Sequence, residues 1–161
     1  MDNDFTGKVV LITGCTSGIG KETAEAFAKN GAKLLLAARR VKEGNALVES
    51  IRGNGSDAIF VQTDVSKASD VKSMVDKCIS EYGQLDYAVN NAGIEGTFFV
   101  STADYTEEVF DEVIGTNLKG IWLCMKYEIP EMLKQKKGSI VNMASVAGLA
   151  GSPLGCAYHA S

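Results

Sequence analysis

Thr13-Gly14-Cys15-Thr16-Ser17-Gly18-Ile19-Gly20 is the stretch on which the reading of the fold turns. It follows Val9-Val10-Leu11-Ile12, an apolar run short and β-branched enough for a buried strand, and a helical pattern follows it. Each glycine has a use there. Gly14 allows a tight turn, Gly18 lets backbone N–H groups approach a ligand, and Gly20 lets the helix pack closely. The helix start at Ser17, Gly18 and Ile19 presents unpaired N–H groups and the positive end of a dipole, which suits a pyrophosphate. A strand-to-helix turn that binds nothing would use the same residues, so the turn alone leaves both readings open.

A competing phosphate loop, G-x-x-x-x-G-K-S/T, fails letter by letter. Ending at Lys21, it would need glycine where the chain has Cys15 and a hydroxyl residue where it has Glu22.

Composition narrows the class. The chain has 161 residues, 45% apolar and 22% charged, with two prolines, which predicts one globular domain over residues 1–161. A net charge of −4 leaves no electrostatic footprint for a nucleic acid. The one basic cluster, Lys134, Lys136 and Lys137, precedes Gly138 at an expected helix end, where cations complement the dipole and glycine closes the cap. Cys15, Cys78, Cys124 and Cys156 show no C-x-x-C pair, so no metal site is expected, and Cys78 and Cys124 fit core positions in a reducing compartment. The start Met1-Asp2-Asn3-Asp4 is acidic and no apolar run approaches about 18 residues, so neither a leader nor a membrane span is read and the cytoplasm is the expected location.

Outward from the glycine turn, strands and helices alternate. Ala24, Phe27 and Ala28 mark a first helix ending at Asn30-Gly31, and Lys33–Ala38 reads as a second strand covered on both faces. Leu47, Val48 and Ile51 mark a second helix, and Ala58–Val61 a third strand. Val71, Met74, Val75, Cys78, Ile79 and Tyr82 recur at helical spacing before Gly83. Leu85–Val89 is a fourth strand running into Asn90-Asn91-Ala92-Gly93. From about Thr106 a long helix is expected, with Val109, Phe110, Val113, Ile114, Leu118, Ile121, Trp122, Met125, Ile129, Met132 and Leu133 on one side and a bend near Gly115–Gly120 or at Pro130. Ser139–Met143 is a fifth strand, and a loop from Ala144 leads to Tyr158. This rhythm predicts an α/β fold with a doubly wound, Rossmann-like parallel sheet in strand order 3-2-1-4-5 and ligands at the carboxyl ends of strands one and four.

Asn117 lies on the apolar stripe of the long helix, so its amide needs either a structural partner or a functional one. Ser145 comes just past strand five, and Tyr158 follows it in the last stretch of the chain. With Thr13–Gly20, Asn90–Gly93, Asn117, Asn142-Met143-Ala144-Ser145 and Tyr158 in that order, the chain closely resembles a short-chain dehydrogenase/reductase from about residue 7 onward.

The resemblance implies that Tyr158 is the general acid or base, Ser145 polarises a substrate carbonyl and Asn117 holds a water in a proton relay. It places Asp64 and Val65 at an adenine ring and Asn91, Ala92 and Gly93 on the ribose side of the pocket, with the glycine turn under the pyrophosphate. Hydroxyl donors suit the chemistry, because hydride transfer to a carbonyl builds negative charge on oxygen. An acid at the end of strand two would accept both ribose hydroxyls and repel a 2′-phosphate, but Arg39 and Arg40 follow Ala38, so NADP is expected over NAD. The implied function is an oxidoreductase moving a hydride between NADP(H) and a secondary alcohol or ketone, in a tetramer or dimer formed partly through the long helix.

The family's lysine, four residues after the tyrosine, would be residue 162, beyond Ser161, and its later strands and substrate-covering segment are not present either. The expectation is therefore a domain cut at its C-terminal end, and the alternative is a short cofactor-binding or interaction module. His159 is expected to be an incidental exposed neighbour of Tyr158, and Glu95 to be either a pocket wall or a solvated loop acid.

Overall fold

Five strands and their covering helices appear where hydrophobic periodicity asks for them. The computed structural model describes residues 4–161. In chain order the elements are β1 (Val9–Thr13), α1 (Gly18–Lys29), β2 (Lys33–Ala38), α2 (Val41–Gly53), β3 (Ala58–Gln62), α3 (Ala68–Tyr82), β4 (Tyr87–Asn90), α4 (Glu107–Ile114), α5 (Gly120–Lys134), β5 (Ser139–Asn142) and α6 (Cys156–Ala160). The strands form one parallel sheet in the order β3-β2-β1-β4-β5. The chain winds outward from β1 first one way and then the other, which opens a crevice at the carboxyl ends of β1 and β4.

Both faces of the sheet are covered, which is why β1 and β2 read as continuous apolar runs. Val9, Leu11, Leu35 and Ala37 pack with Val71, Met74 and Cys78 of α3 and Leu123 and Cys124 of α5. Val10, Ile12, Leu34 and Leu36 point the other way, onto Ala24 and Ala28 of α1 and Leu47, Val48 and Ile51 of α2. Fully burying one such aliphatic side chain contributes about 1.5–3 kcal/mol, so the register of these two central strands is strongly held.

The long helix is broken where the glycines sit. Thr106 caps α4 by accepting from the Val109 N–H at 3.4 Å. A π turn, Gly115–Lys119, separates α4 from α5, while Pro130 lies inside α5. Such a turn carries one residue more than an α turn and shifts the faces beyond it. The buried line in α5 is Gly120, Leu123, Cys124, Glu128 and Met132. Phe110, Leu118, Trp122, Ile129 and Leu133, expected on the same side as these core positions, are exposed instead. The helix is apolar on two faces, and sequence periodicity does not say which one meets the sheet.

Strand β4 starts two residues later than the sequence suggests, although Asp86 extends the ladder by donating to Val9 O and accepting from the Ser139 N–H. Asp86 also corrects the reading of the basic cluster. Its carboxylate accepts from the Val9 N–H at 3.0 Å and from Lys137 Nζ at 2.8 Å, so Lys137 ties strands together instead of serving a helix end. Lys134 pairs with Glu131, and Lys136, two residues before Gly138, takes the left-handed conformation that follows α5 (φ 55°).

Burial alone would raise the Asp86 pKa, but the Lys137 and Val9 hydrogen bonds and the charges of Lys137 and Lys8 outweigh it and hold the carboxyl below the usual range. A depressed pKa contributes stability that is present above the unfolded-chain value near about 4 and is lost as pH falls through the lower folded value. Asp86→Asn should therefore cost about 1–3 kcal/mol at neutral pH in urea unfolding and flatten the acid limb of the stability profile.

Candidate active site

The crevice holds two cavities that share a wall. One, of about 390 Å³, lies between the glycine turn and the ends of β2 and β3; the other, of about 670 Å³, lies between α1's start and the segment after β5. Asn91, Ala92, Gly93 and Ile94 line both, so they form the ridge of one continuous cleft.

The glycine turn is held against this ridge. Gly14 has φ 66°, and a side chain there would sit 2.8 Å from Ala92 Cα. The Thr13 hydroxyl accepts from the Asn91 N–H at 3.0 Å and the Ala92 N–H at 3.1 Å. The Asn91 amide in return donates to Thr13 O at 3.1 Å and Gly14 O at 3.2 Å. Asn91 thus spends its side-chain hydrogens on the turn. Gly20 touches neither cavity: a Cβ there would lie 2.5 Å from Asn91 Nδ2 and collide with Gly14 O, so its role is to let α1 approach the turn. Gly18 differs, since a Cβ there would meet nothing within 4 Å. The cysteine of the turn is fully buried, and burial pushes its thiol up to about 12, which leaves it inert as a nucleophile.

Ser17, Arg39, Arg40, Asp64 and Val65 all line the smaller cavity. Arg40 donates to Thr16 Oγ at 2.8 Å and Ser17 Oγ at 2.8 Å, while Arg39 reaches Glu112 at 3.7 Å. Asp64 accepts from the Ser66 hydroxyl at 2.7 Å. Burial would raise its pKa, yet the Ser66 hydrogen bonds and the charges of Lys67 and Arg39 hold it below the usual range.

The larger cavity brings Asn117, Ser145 and Tyr158 together with Gly18 and Ile19. Asn117 stands in the π turn, and its amide clasps the backbone of Ile94: Oδ1 accepts from the Ile94 N–H at 2.9 Å and Nδ2 donates to Ile94 O at 2.9 Å. The two readings of this residue therefore coincide, because the bond that satisfies the amide also fixes the cleft wall. Ser145 Oγ accepts from the Ala147 N–H at 3.2 Å. The Tyr158 ring packs against Phe98 at 5.6 Å between centroids. Glu95 lines this cavity as an exposed residue.

His159 corrects an expectation. It is half-buried, and Nδ1–H donates to Ala147 O at 2.9 Å and Ala150 O at 3.0 Å, joining α6 to the turn after Ser145. Two further residues escaped the sequence reading as site residues. In the sequence Thr13 only opens the glycine stretch, and Thr16, which lines the smaller cavity and receives Arg40, stands as a letter between its glycines. A hydroxyl directly before the first glycine was the available signal.

Fold and crevice together define a doubly wound α/β protein with a dinucleotide-type glycine turn facing a Ser/Tyr/Asn cluster. The chain belongs to the short-chain dehydrogenase family: the family model described as short chain dehydrogenase matches residues 8–161. An uncharacterized oxidoreductase of Thermotoga maritima is 43% identical over 158 residues, 98% of this chain and 61% of the relative. The 3-oxoacyl-acyl-carrier-protein reductase of Staphylococcus aureus is 38% identical over 147 residues, 91% of this chain and 59% of the relative. Among solved structures, a short-chain dehydrogenase/reductase of Burkholderia phymatum in complex with NAD superposes with a TM-score of 0.93 at 35% identity, covering 98% of this chain and 56% of that one. NAD-bound xylitol dehydrogenase gives a TM-score of 0.92 at 33% identity, covering 97% and 60%. The chain thus spans about 61% of the length of the curated relatives it matches. Among the described residues no helix is long and apolar enough to cross a membrane.

Thr13→Val should leave the half-buried Asn91 and Ala92 amides without their partner, at about 1–3 kcal/mol in all, while Thr13→Ser should stay near wild type; urea unfolding of the three proteins measures this.

Proposed function

We propose that this chain forms the cofactor-binding and catalytic centre of an oxidoreductase that transfers a hydride between NADP(H) and a secondary alcohol or ketone. The carrying observation is that one cavity is lined both by Gly18, Ile19 and Asn91–Gly93 and by Asn117, Ser145 and Tyr158. The residues fit a dinucleotide. Open space stands where a Gly18 side chain would be, and α1 begins there with no acidic residue in its first turn, leaving the N-terminal N–H groups for an anion. A bound nicotinamide supplies or takes up the hydride.

The chain's own residues do the rest. The Ser145 and Tyr158 hydroxyls donate to the substrate oxygen as charge builds on it, and Tyr158 passes the proton. Asn117 joins the proton relay and keeps Ile94, hence the cleft wall, in place. Gly14, Ser17, Asp64 and Val65 line the adenosine side. NADP is preferred over NAD because Arg39 and Arg40 face the smaller cavity where an acid would otherwise stand, although two structural relatives hold NAD. Xylitol and a 3-oxoacyl group, named for two of the relatives, share a carbon at the alcohol or ketone level, which supports that substrate class. The domain is read as a single unit over residues 1–161 of a cytoplasmic homo-oligomer, tetramer or dimer, a reading supported by the exposed Leu118, Trp122, Ile129 and Leu133.

In the full-length gene product, Arg40→Ala should weaken NADPH binding about 10- to 100-fold, the worth of one charge-assisted hydrogen bond, and leave NADH within a few-fold; calorimetric titration decides. Tyr158→Phe should lower ketone reduction by about 10²- to 10⁴-fold with NADPH affinity retained. Dinucleotide binding without any carbonyl reduction in the wild type would favour the cofactor-binding module instead.

A further inference from the structure

Beneath the cleft lies a polar cluster, buried at Asn90 and Glu128 and exposed at Asn142, that none of the roles above uses. Asn90 closes β4 and Asn142 closes β5, opposite one another in register. Asn90 Nδ2 donates to Asn142 Oδ1 at 3.0 Å and to Glu128 Oε2, from the middle of α5, at 3.0 Å. Asn142 Nδ2 reaches Met125 Sδ at 3.2 Å, and the Met143 N–H donates to Asn90 O at 2.9 Å. Glu128 is 0% exposed and Asn90 1%. Two side-chain atoms here have no partner, Asn90 Oδ1 and Glu128 Oε1, and both are acceptors.

An ionised carboxylate would make this arrangement costly, since a buried charge needs a cation or several donors. The titratable groups facing Glu128 supply neither. They are Cys124 on its own helix and Cys78 from α3, both with thiol pKa values raised chiefly by burial and further by Glu128 itself. The strand ends contribute only the neutral amides of Asn90 and Asn142, and Asp86, the charge felt at Cys78, is negative and already paired with Lys137. A proton resolves the mismatch, because a neutral carboxylic acid carries the donor hydrogen the orphan acceptors lack. Burial raises the Glu128 pKa to about 7, with the Asn90 hydrogen bond offsetting only part of the rise.

We propose that Glu128 is a positioning residue which, as a neutral carboxylic acid, clamps the carboxyl ends of β4 and β5 together and thereby sets the spacing of Asn91–Gly93 from Ser145 across the cleft. The consequence for cofactor binding rests on the function proposed above; the clamp itself does not. Asn91 follows Asn90 directly, and Ser145 lies three residues beyond Asn142, so separation of the two strand ends is passed to both walls. A carboxyl whose folded pKa is raised contributes stability that is complete below the unfolded value and lost as pH rises through the folded one, here about 7. The clamp therefore loosens on the alkaline side, opposite in sign to the Asp86 pair.

Hydrogen exchange on the chain, followed from about pH 5 to about 8.5 and corrected for intrinsic rates, tests this in wild type, Glu128→Gln and Glu128→Met. The glutamine amide supplies hydrogens at every pH, and methionine keeps the volume without them. In wild type the amides of Asn91, Ala92 and Met143 should lose protection by up to about tenfold per pH unit as pH rises towards about 7 and level off above it, while those of β2 and β3 keep theirs. Glu128→Gln should be flat over the same range and Glu128→Met weakly protected throughout. NADPH affinity should follow the same three profiles. Superposable profiles for wild type and Glu128→Gln, or a wild-type loss spread evenly over β2 and β3, would overturn the proposal. If exchange behaves as expected but NADPH binds at no pH, the functional reading falls and the clamp stands; if NADPH binds with one pH profile in both proteins, the reverse holds.

Discussion

The tie between Thr13 and Asn91 is what the cleft depends on. The hydroxyl at the end of β1 takes the N–H groups of Asn91 and Ala92, and the Asn91 amide takes the carbonyls of Thr13 and Gly14. Four hydrogen bonds therefore hold the glycine turn to the segment after β4 across the gap where the sheet's winding reverses. Without them the two strand ends would part as their loops diverge, and α1's start would no longer face the ridge shared by the two cavities. The absence of side chains at Gly14 and Gly20 is the steric half of the same constraint, since Cβ atoms there would strike Ala92 and the turn's own carbonyl.

A second device works from the other side. The π turn brings Asn117 to face Ile94, so the ridge is gripped at its far end by an amide from the long helix. The ridge Asn91–Ile94 is thus held at both ends by side-chain amides bonded to backbone. This is a rigid way to build a loop, because each amide offers donor and acceptor at fixed geometry. The cleft is made of loops, yet its walls inherit the order of β1, β4 and the helix.

Burial and pairing also divide the acidic residues into opposite kinds. Asp86 is buried with a lysine and a backbone donor, which favours its charge; Glu128 is buried with one amide, which does not. Both sit at ends of the strands flanking the cleft, one at the amino ends and one at the carboxyl ends.

The order of strands, the helical covers and the glycine turn were legible in the chain, because continuous apolar runs and glycines at strand ends follow from local chemistry and spacing, whereas Asn117, Ser145 and Tyr158 were singled out only by the order in which the family resemblance places them. The outward turn of Trp122 and Leu133, the half-buried His159 and the pairing of Lys137 with Asp86 were not legible. Each depends on which face of an element meets another element distant in sequence. Glu128 shows the division most clearly: in the sequence it is one acid in an amphipathic helix, and only the packing of α5 against the end of β4 removes it from water and leaves it a single asparagine amide as partner. Local pattern determined what each segment is; the meeting of segments decided which polar atoms lose their solvent, and that loss sets their chemistry.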